Sequence, residues 1–187
     1  MSRKSTKVMM LLGVILLAAA AGLYGFRMIS EHSNAELSEK VMSQMQEMIP
    51  QYDEDDPAAT GLGEDPLPAI EIEGISLVGY LEIASTDQKI PVADSSYDGA
   101  WPVFHKSGSP VRGKFVIGGS EKKGGLGSLS DIEPGDTVRF TDVNGVRYTY
   151  RITGLGSVRQ INGLDHDLIL YCGISRNTFL AAYGTMQ

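Results

Sequence analysis

From about Ile75 onward the apolar residues come in short runs broken by glycine, with the spacing of strands. Leu77 to Ile83, Lys89 to Val92 and Phe115 to Ile117 each read as a strand. The third is entered from Gly113 and left through Gly118-Gly119. Thr137 to Thr141 and Arg147 to Thr153 flank Asp142-Val143-Asn144-Gly145. An Asn-Gly pair between two β-branched runs predicts a hairpin, because both residues accept positive φ. Pro134-Gly135-Asp136 turns the chain into it. Asp167 to Tyr171 predicts a late strand and Phe179 to Tyr183 a last one. The expectation is a mainly β fold, a closed or nearly closed antiparallel β-barrel over residues 75–187.

Upstream the pattern changes. Leu37, Val41, Met45 and Met48 fall at helical spacing and predict a helix that ends before Pro50. We read it as a juxtamembrane spacer. Gln51 to Ala69 is acidic and carries Pro57, Pro66 and Pro68, which predicts a linker. Residues 28–74 thus read as a connector between an anchor and a domain. Val8 to Phe26 is 19 residues without a charge, preceded by Arg3, Lys4 and Lys7. That length suits a helix crossing a bilayer. The basic flank keeps the N-terminus in the cytoplasm and places the rest outside it. The competing reading is a cleaved signal peptide, with Ala18 to Ala21 as the small-residue stretch; the apolar run is long for one. The expectation is a single-pass protein of the cell membrane: residues 1–27 as cytoplasmic tip and anchor, the domain extracytoplasmic.

Charge narrows the partners. Four of the 16 basic residues lie within residues 1–27 and all 23 acidic ones lie beyond, so the exported part has a net charge of −11. That excludes nucleic acid as a natural partner, since phosphate binding needs a basic surface. One cysteine excludes an internal disulfide. Three scattered histidines and one cysteine give no metal-ligand spacing, so neither metal nor cofactor is expected. The acidic run Asp53-Glu54-Asp55-Asp56 reads as a solvated linker, not a Ca²⁺ site.

The single cysteine, Cys172, ends the run Asp167-Leu168-Ile169-Leu170-Tyr171 and precedes Gly173. A thiol at a strand exit is where a nucleophile is held rigidly and still reached. The same position also suits a buried cysteine acting as a small hydrophobe.

Several stretches together resemble the sortases, the membrane-anchored cysteine transpeptidases of Gram-positive bacteria. They are Gly79-Tyr80-Leu81-Glu82-Ile83, Lys89-Ile90-Pro91-Val92, Ser107-Gly108-Ser109-Pro110, Phe115-Val116-Ile117-Gly118-Gly119, Leu129 to Asp142, and Asp167 to Cys172. They run in that family's order and cover about Ile75 to the C-terminus. The resemblance implies an eight-stranded β-barrel. It also implies attack on a sorting-signal peptide bond by a cysteine, with transfer of the acyl group to a cell-wall or pilin amine. A histidine for proton transfer and an arginine for the oxyanion complete the family's site.

Carried over by position, the match departs from the family. Val116-Ile117-Gly118-Gly119-Ser120 stands where the family has Val-Ile-Ala-Gly-His, so Ser120 occupies the histidine's place. A hydroxyl does not take up protons near neutral pH as imidazole does. His105, upstream in a polar loop, and His166, just before the late strand, are the other candidates. The family's Thr-Leu-x-Thr-Cys fits in two registers. One puts Cys172 at the cysteine; the other puts Cys172 at the last threonine and Gly173 at the cysteine. A one-residue slip turns a strand side chain to the opposite face. Arg176, with Thr178 two positions later, is the arginine candidate. The resemblance thus implies a sortase-like protein with weak or lost catalysis, acting on a sorting-signal peptide or pilin. The alternative is an active sortase using Cys172, Arg176 and an unconventional base, so its standing as an enzyme is open.

Overall fold

The computed structural model describes residues 36–52, 63–95, 101–121 and 124–187. The expected anchor and most of the acidic linker lie outside them. Among the described residues no helix is long and apolar enough to cross a membrane.

One helix, α1, spans residues 36–48. Nine strands follow: β1 Ile70–Ile72, β2 Ile75–Ile83, β3 Gln88–Ala93, β4 Val103–Ser109, β5 Gly113–Gly119, β6 Thr137–Asp142, β7 Arg147–Val158, β8 Leu168–Ser175 and β9 Thr178–Met186. They pair in the order β1-β2-β3-β4-β5-β8-β9-β7-β6, and β2 also pairs with β6. Eight strands, β2 to β9, therefore pair in a ring, with β1 added outside β2. The fold is mainly β, as expected, but not antiparallel throughout. The β3–β4 and β5–β8 pairs are parallel. A parallel pair needs a long crossover, and here the β6–β7 hairpin lies between β5 and β8.

The inner faces meet in one cluster that includes Leu81, Val92, Phe115, Ile117, Phe140 and Tyr150, each at most 3% exposed. Leu168, Leu170 and Cys172 of β8 belong to it, while Ile169 and Tyr171 pack on the outside. The predicted hairpin is present, with Thr141 paired to Arg147. Its turn is held by Asp142, whose Oδ1 accepts from the Asn144 and Val146 amides at 2.9 and 3.0 Å. Gly145 takes φ +85° there.

Three findings differ from the sequence expectation. First, α1 is not a free spacer. Val41, Met42, Met45 and Ile49 pack against Ile72, Ile75, Leu77, Tyr80, Ala93 and Trp101 in a second core. Lys40 reaches Glu73 at 2.9 Å, and the Trp101 indole donates to the Pro91 carbonyl at 3.1 Å. The packed unit thus begins with α1, not at Ile75. Second, β4 holds His105, which the sequence placed in a polar loop. Third, residues 63–69 also pack: Leu67 joins the inner core, Asp65 pairs with Arg112, and the Asn144 side-chain Nδ2 donates to Glu64 Oε1 at 3.1 Å.

Candidate functional site

Strands β5 and β8 run side by side, with Phe115 opposite Leu168 and Gly119 opposite Cys172. Side chains alternate across a strand, so Leu168, Leu170 and Cys172 share the inner face. Cys172 is 2% exposed. Across β9 its partner is Leu180, which also packs on the inner core. Beside it stands Gly119, where a Cβ would lie 2.6 Å from Leu126 Cγ. Leu126 therefore closes over the strand ends, and Leu129 of the following 3-10 turn is also fully buried. Burial pushes the Cys172 thiol up, and the Glu121 carboxylate pushes it further in the same direction. Both effects favour the neutral thiol.

Ser120 follows β5 directly. Its amide donates to the Pro102 carbonyl and its own carbonyl accepts from the Leu126 amide, both at 2.8 Å. Its hydroxyl oxygen is buried without a hydrogen-bond partner. Ser120 thus lies close to Cys172 in the fold, one residue past that thiol's strand neighbour.

Arg176 does not join them. Ser175 pairs with Thr178, so Arg176 and Asn177 form a two-residue turn, and Arg176 is exposed. Ser175 lies three positions beyond Cys172 along β8, about 10 Å of strand. The inward position facing the thiol on β9 is held by Leu180, not by a cation. Thr178, the other candidate, opens β9 opposite Ser175.

The two nearby histidines are engaged elsewhere. A His105 ring nitrogen lies 2.7 Å from the Gly108 carbonyl, and the ring packs on Phe115 at 5.4 Å. His105 pairs with Ile117, two positions short of Gly119 and two strands from β8. His166 stacks on Tyr183 at 4.5 Å, near the opposite end of β8 from Cys172. Its six-residue separation from Cys172 spans roughly 20 Å of extended chain.

The outer face of the same strands carries a cleft of about 200 Å³. Val116 of β5 with Ile169 and Tyr171 of β8 form its floor. Ile161 and Leu164 of the β7–β8 loop wall one side, and Lys106 and Ser107 of β4 the other. A Cβ at Gly118 would lie 2.6 Å from the Tyr171 hydroxyl, so the ring lies against bare backbone. Phe104 and Phe179 meet it edge-on at 6.5 and 5.6 Å. The face carrying Ile169 and Tyr171 continues to Gly173, which stands opposite Phe179. Of the two registers open to the sequence, the second is the one in which Cys172 turns away from this cleft. A larger cleft, about 350 Å³, lies between α1, β3 and Gly124-Gly125 and shares no residue with it.

Sequence reasoning missed Tyr171, Leu126 and Leu180. The Ile169-x-Tyr171 alternation was the available signal for the first.

No protein-family model matches the chain, and no curated relative matches it. Solved structures do. A pilus-related sortase C of Group B Streptococcus superposes with a TM-score of 0.53 at 16% identity, over 84% of this chain and 94% of its own. Sortase C1 from Streptococcus agalactiae gives 0.52 at 17% identity, over 63% of this chain and 70% of its own. A sortase A of Listeria monocytogenes gives 0.50 at 14% identity, over 59% and 87%. At such identity the likeness speaks for the fold alone, and the chain has the sortase fold.

Proposed function

We propose that this chain is a membrane-anchored, extracytoplasmic sortase-like protein that binds an extended peptide of an exported protein or pilin and has weak or lost transpeptidase activity. The observation that carries this reading is the split between the two faces of β8. The thiol faces the core with Leu180 opposite, while the outer face carries a separate cleft of about 200 Å³ with an apolar floor and no cysteine. Supporting it, Ser120 stands where the family's histidine belongs, and burial keeps the thiol protonated. General acid–base catalysis typically contributes about 100- to 10,000-fold, and among the described residues no histidine stands beside Cys172 to supply it. A missing oxyanion donor removes on the order of 100-fold more.

The test uses the full chain in detergent micelles and a pool of capped octapeptides with apolar residues at alternate positions, sorting-signal sequences included. Binding and cleavage are read in parallel for wild type, Cys172→Ala, Ser120→His and Ile169→Glu. The expected result is binding without cleavage, unchanged in Cys172→Ala and lost in Ile169→Glu, with no cleavage created by Ser120→His. Robust cleavage abolished by Cys172→Ala establishes the active alternative. Absence of binding to any peptide overturns the reading altogether.

A further inference from the structure

We propose that the outer cleft selects an extended segment carrying an acidic side chain, with Lys106 as the residue that reads it. This rests on the peptide-binding reading above and names the chemistry that reading leaves open.

The first observation is charge. The chain beyond its basic N-terminal stretch has 12 basic and 23 acidic residues, yet the cleft is lined by two lysines and by no Asp or Glu. Its remaining lining is apolar or neutral. A cationic concavity in an acidic domain selects against most of the protein's own surface and in favour of an anionic ligand.

The second is the pairing state of the two cations. Lys114 meets Asp165 at 3.2 Å, so its charge is already matched. Lys106 has no ion-pair partner among the described residues. The third is backbone geometry. His105 pairs with Ile117 and Ser107 with Val116, and Lys106 falls in the bulge between them. A bulge adds an unpaired residue and re-aims its side chain, and bulges concentrate beside binding sites. Here the bulged residue lines the cleft.

Position decides between a side chain and a chain terminus as the anion. Lys106 flanks the floor beside Val116. The β5 end of the floor belongs to Lys114, two residues before Val116 and already paired. A carboxylate reaching Lys106 comes from the side, which is how a Glu or Asp side chain of an extended segment projects. The strand ring also leaves β5 and β8 paired on both sides, so the ligand lies on the sheet face and does not add a strand to it.

The experiment measures affinity of the full chain in micelles for N-acetylated, C-amidated octapeptides with apolar residues at alternate positions and Glu, Gln or Lys at one central position. A fourth peptide has Gln at the centre and a free C-terminal carboxylate. The Glu peptide is expected to bind about 3- to 10-fold tighter than the Gln peptide, and the gap should shrink in 1 M salt. Lys106→Gln should abolish the gap between the Glu and Gln peptides. Lys106→Glu should invert the preference towards the Lys peptide, a gain that misfolding does not produce. Equal binding of Glu and Gln peptides to wild type overturns the proposal and leaves the peptide-binding reading standing. Preference for the free C-terminus assigns the site to a terminal carboxylate and overturns the side-chain assignment. No binding by any peptide removes both readings together.

Discussion

The chemistry of this molecule turns on one residue and the face it occupies. Cys172 has the inner-face neighbours Leu168 and Leu170, lies 2% exposed and is flanked by Gly119 on β5 and Leu180 on β9. Water is excluded and no cation is paired with it across β9. Burial raises its pKa first, and Glu121 adds to the rise. The sign for stability follows. A thiol whose folded pKa is raised contributes stability that is fully present below its unfolded pKa of about 8.5, and this is lost as pH rises through the folded value. Alkylation of Cys172 by iodoacetamide, followed by mass spectrometry, should be slow in the native protein and fast in urea. The native rate should also turn upward at a higher pH than the unfolded rate does. A native midpoint below that of the unfolded chain would show a stabilised thiolate and reinstate Cys172 as a nucleophile.

Among the elements, legibility tracked how local the deciding physics is. The β6–β7 hairpin was readable because Asn144-Gly145 sets its own turn and Asp142 caps it. Strand β8 was readable as a strand, but not its facing, because Leu168 to Leu170 is apolar at every position and period two has nothing to mark. Only pairing with β5 and β9 chooses the face. Arg176 was named by its offset from Cys172, and a two-residue turn removed it. Strand β4 hid behind its bulges, since His105, Lys106 and Ser107 break the alternation that marks a strand. The periodicity of α1 was visible; its docking was not, because the matching surface is assembled from β1, β2, β3 and Trp101. That docking has a measurable weight. Met45 is fully buried, and Met45→Ala should destabilise the fold by about 2 to 5 kcal/mol through lost contacts and a residual cavity. Met48, 59% exposed on the same helix, serves as control, and Met48→Ala should change stability by less than about 0.5 kcal/mol. Urea unfolding of the two variants separates the cases. Equal shifts would mean that α1 is a spacer after all.

At the scale of the whole molecule, charge and hydropathy set the geometry in which any ligand is met. Residues 1–27 concentrate four cations around an uncharged 19-residue span, and everything beyond them is acidic on balance. The span is long enough to cross a bilayer, and cations on its N-terminal side are retained in the cytoplasm. We therefore propose that the domain projects from the outer face of the membrane. Residues 28–35 lie between Arg27 and the described start of α1. Because α1 is docked on β1 and β2, the packed domain begins only a few residues beyond the span. The orientation is checked by adding protease to intact bacterial cells and following cleavage in the acidic, proline-bearing stretch 53–62. Cleavage is expected in intact cells, at the same position as after lysis. A chain protected in intact cells and cut only after lysis would place the domain in the cytoplasm. It would also remove every exported ligand from consideration, the acidic peptide of the Lys106 cleft included.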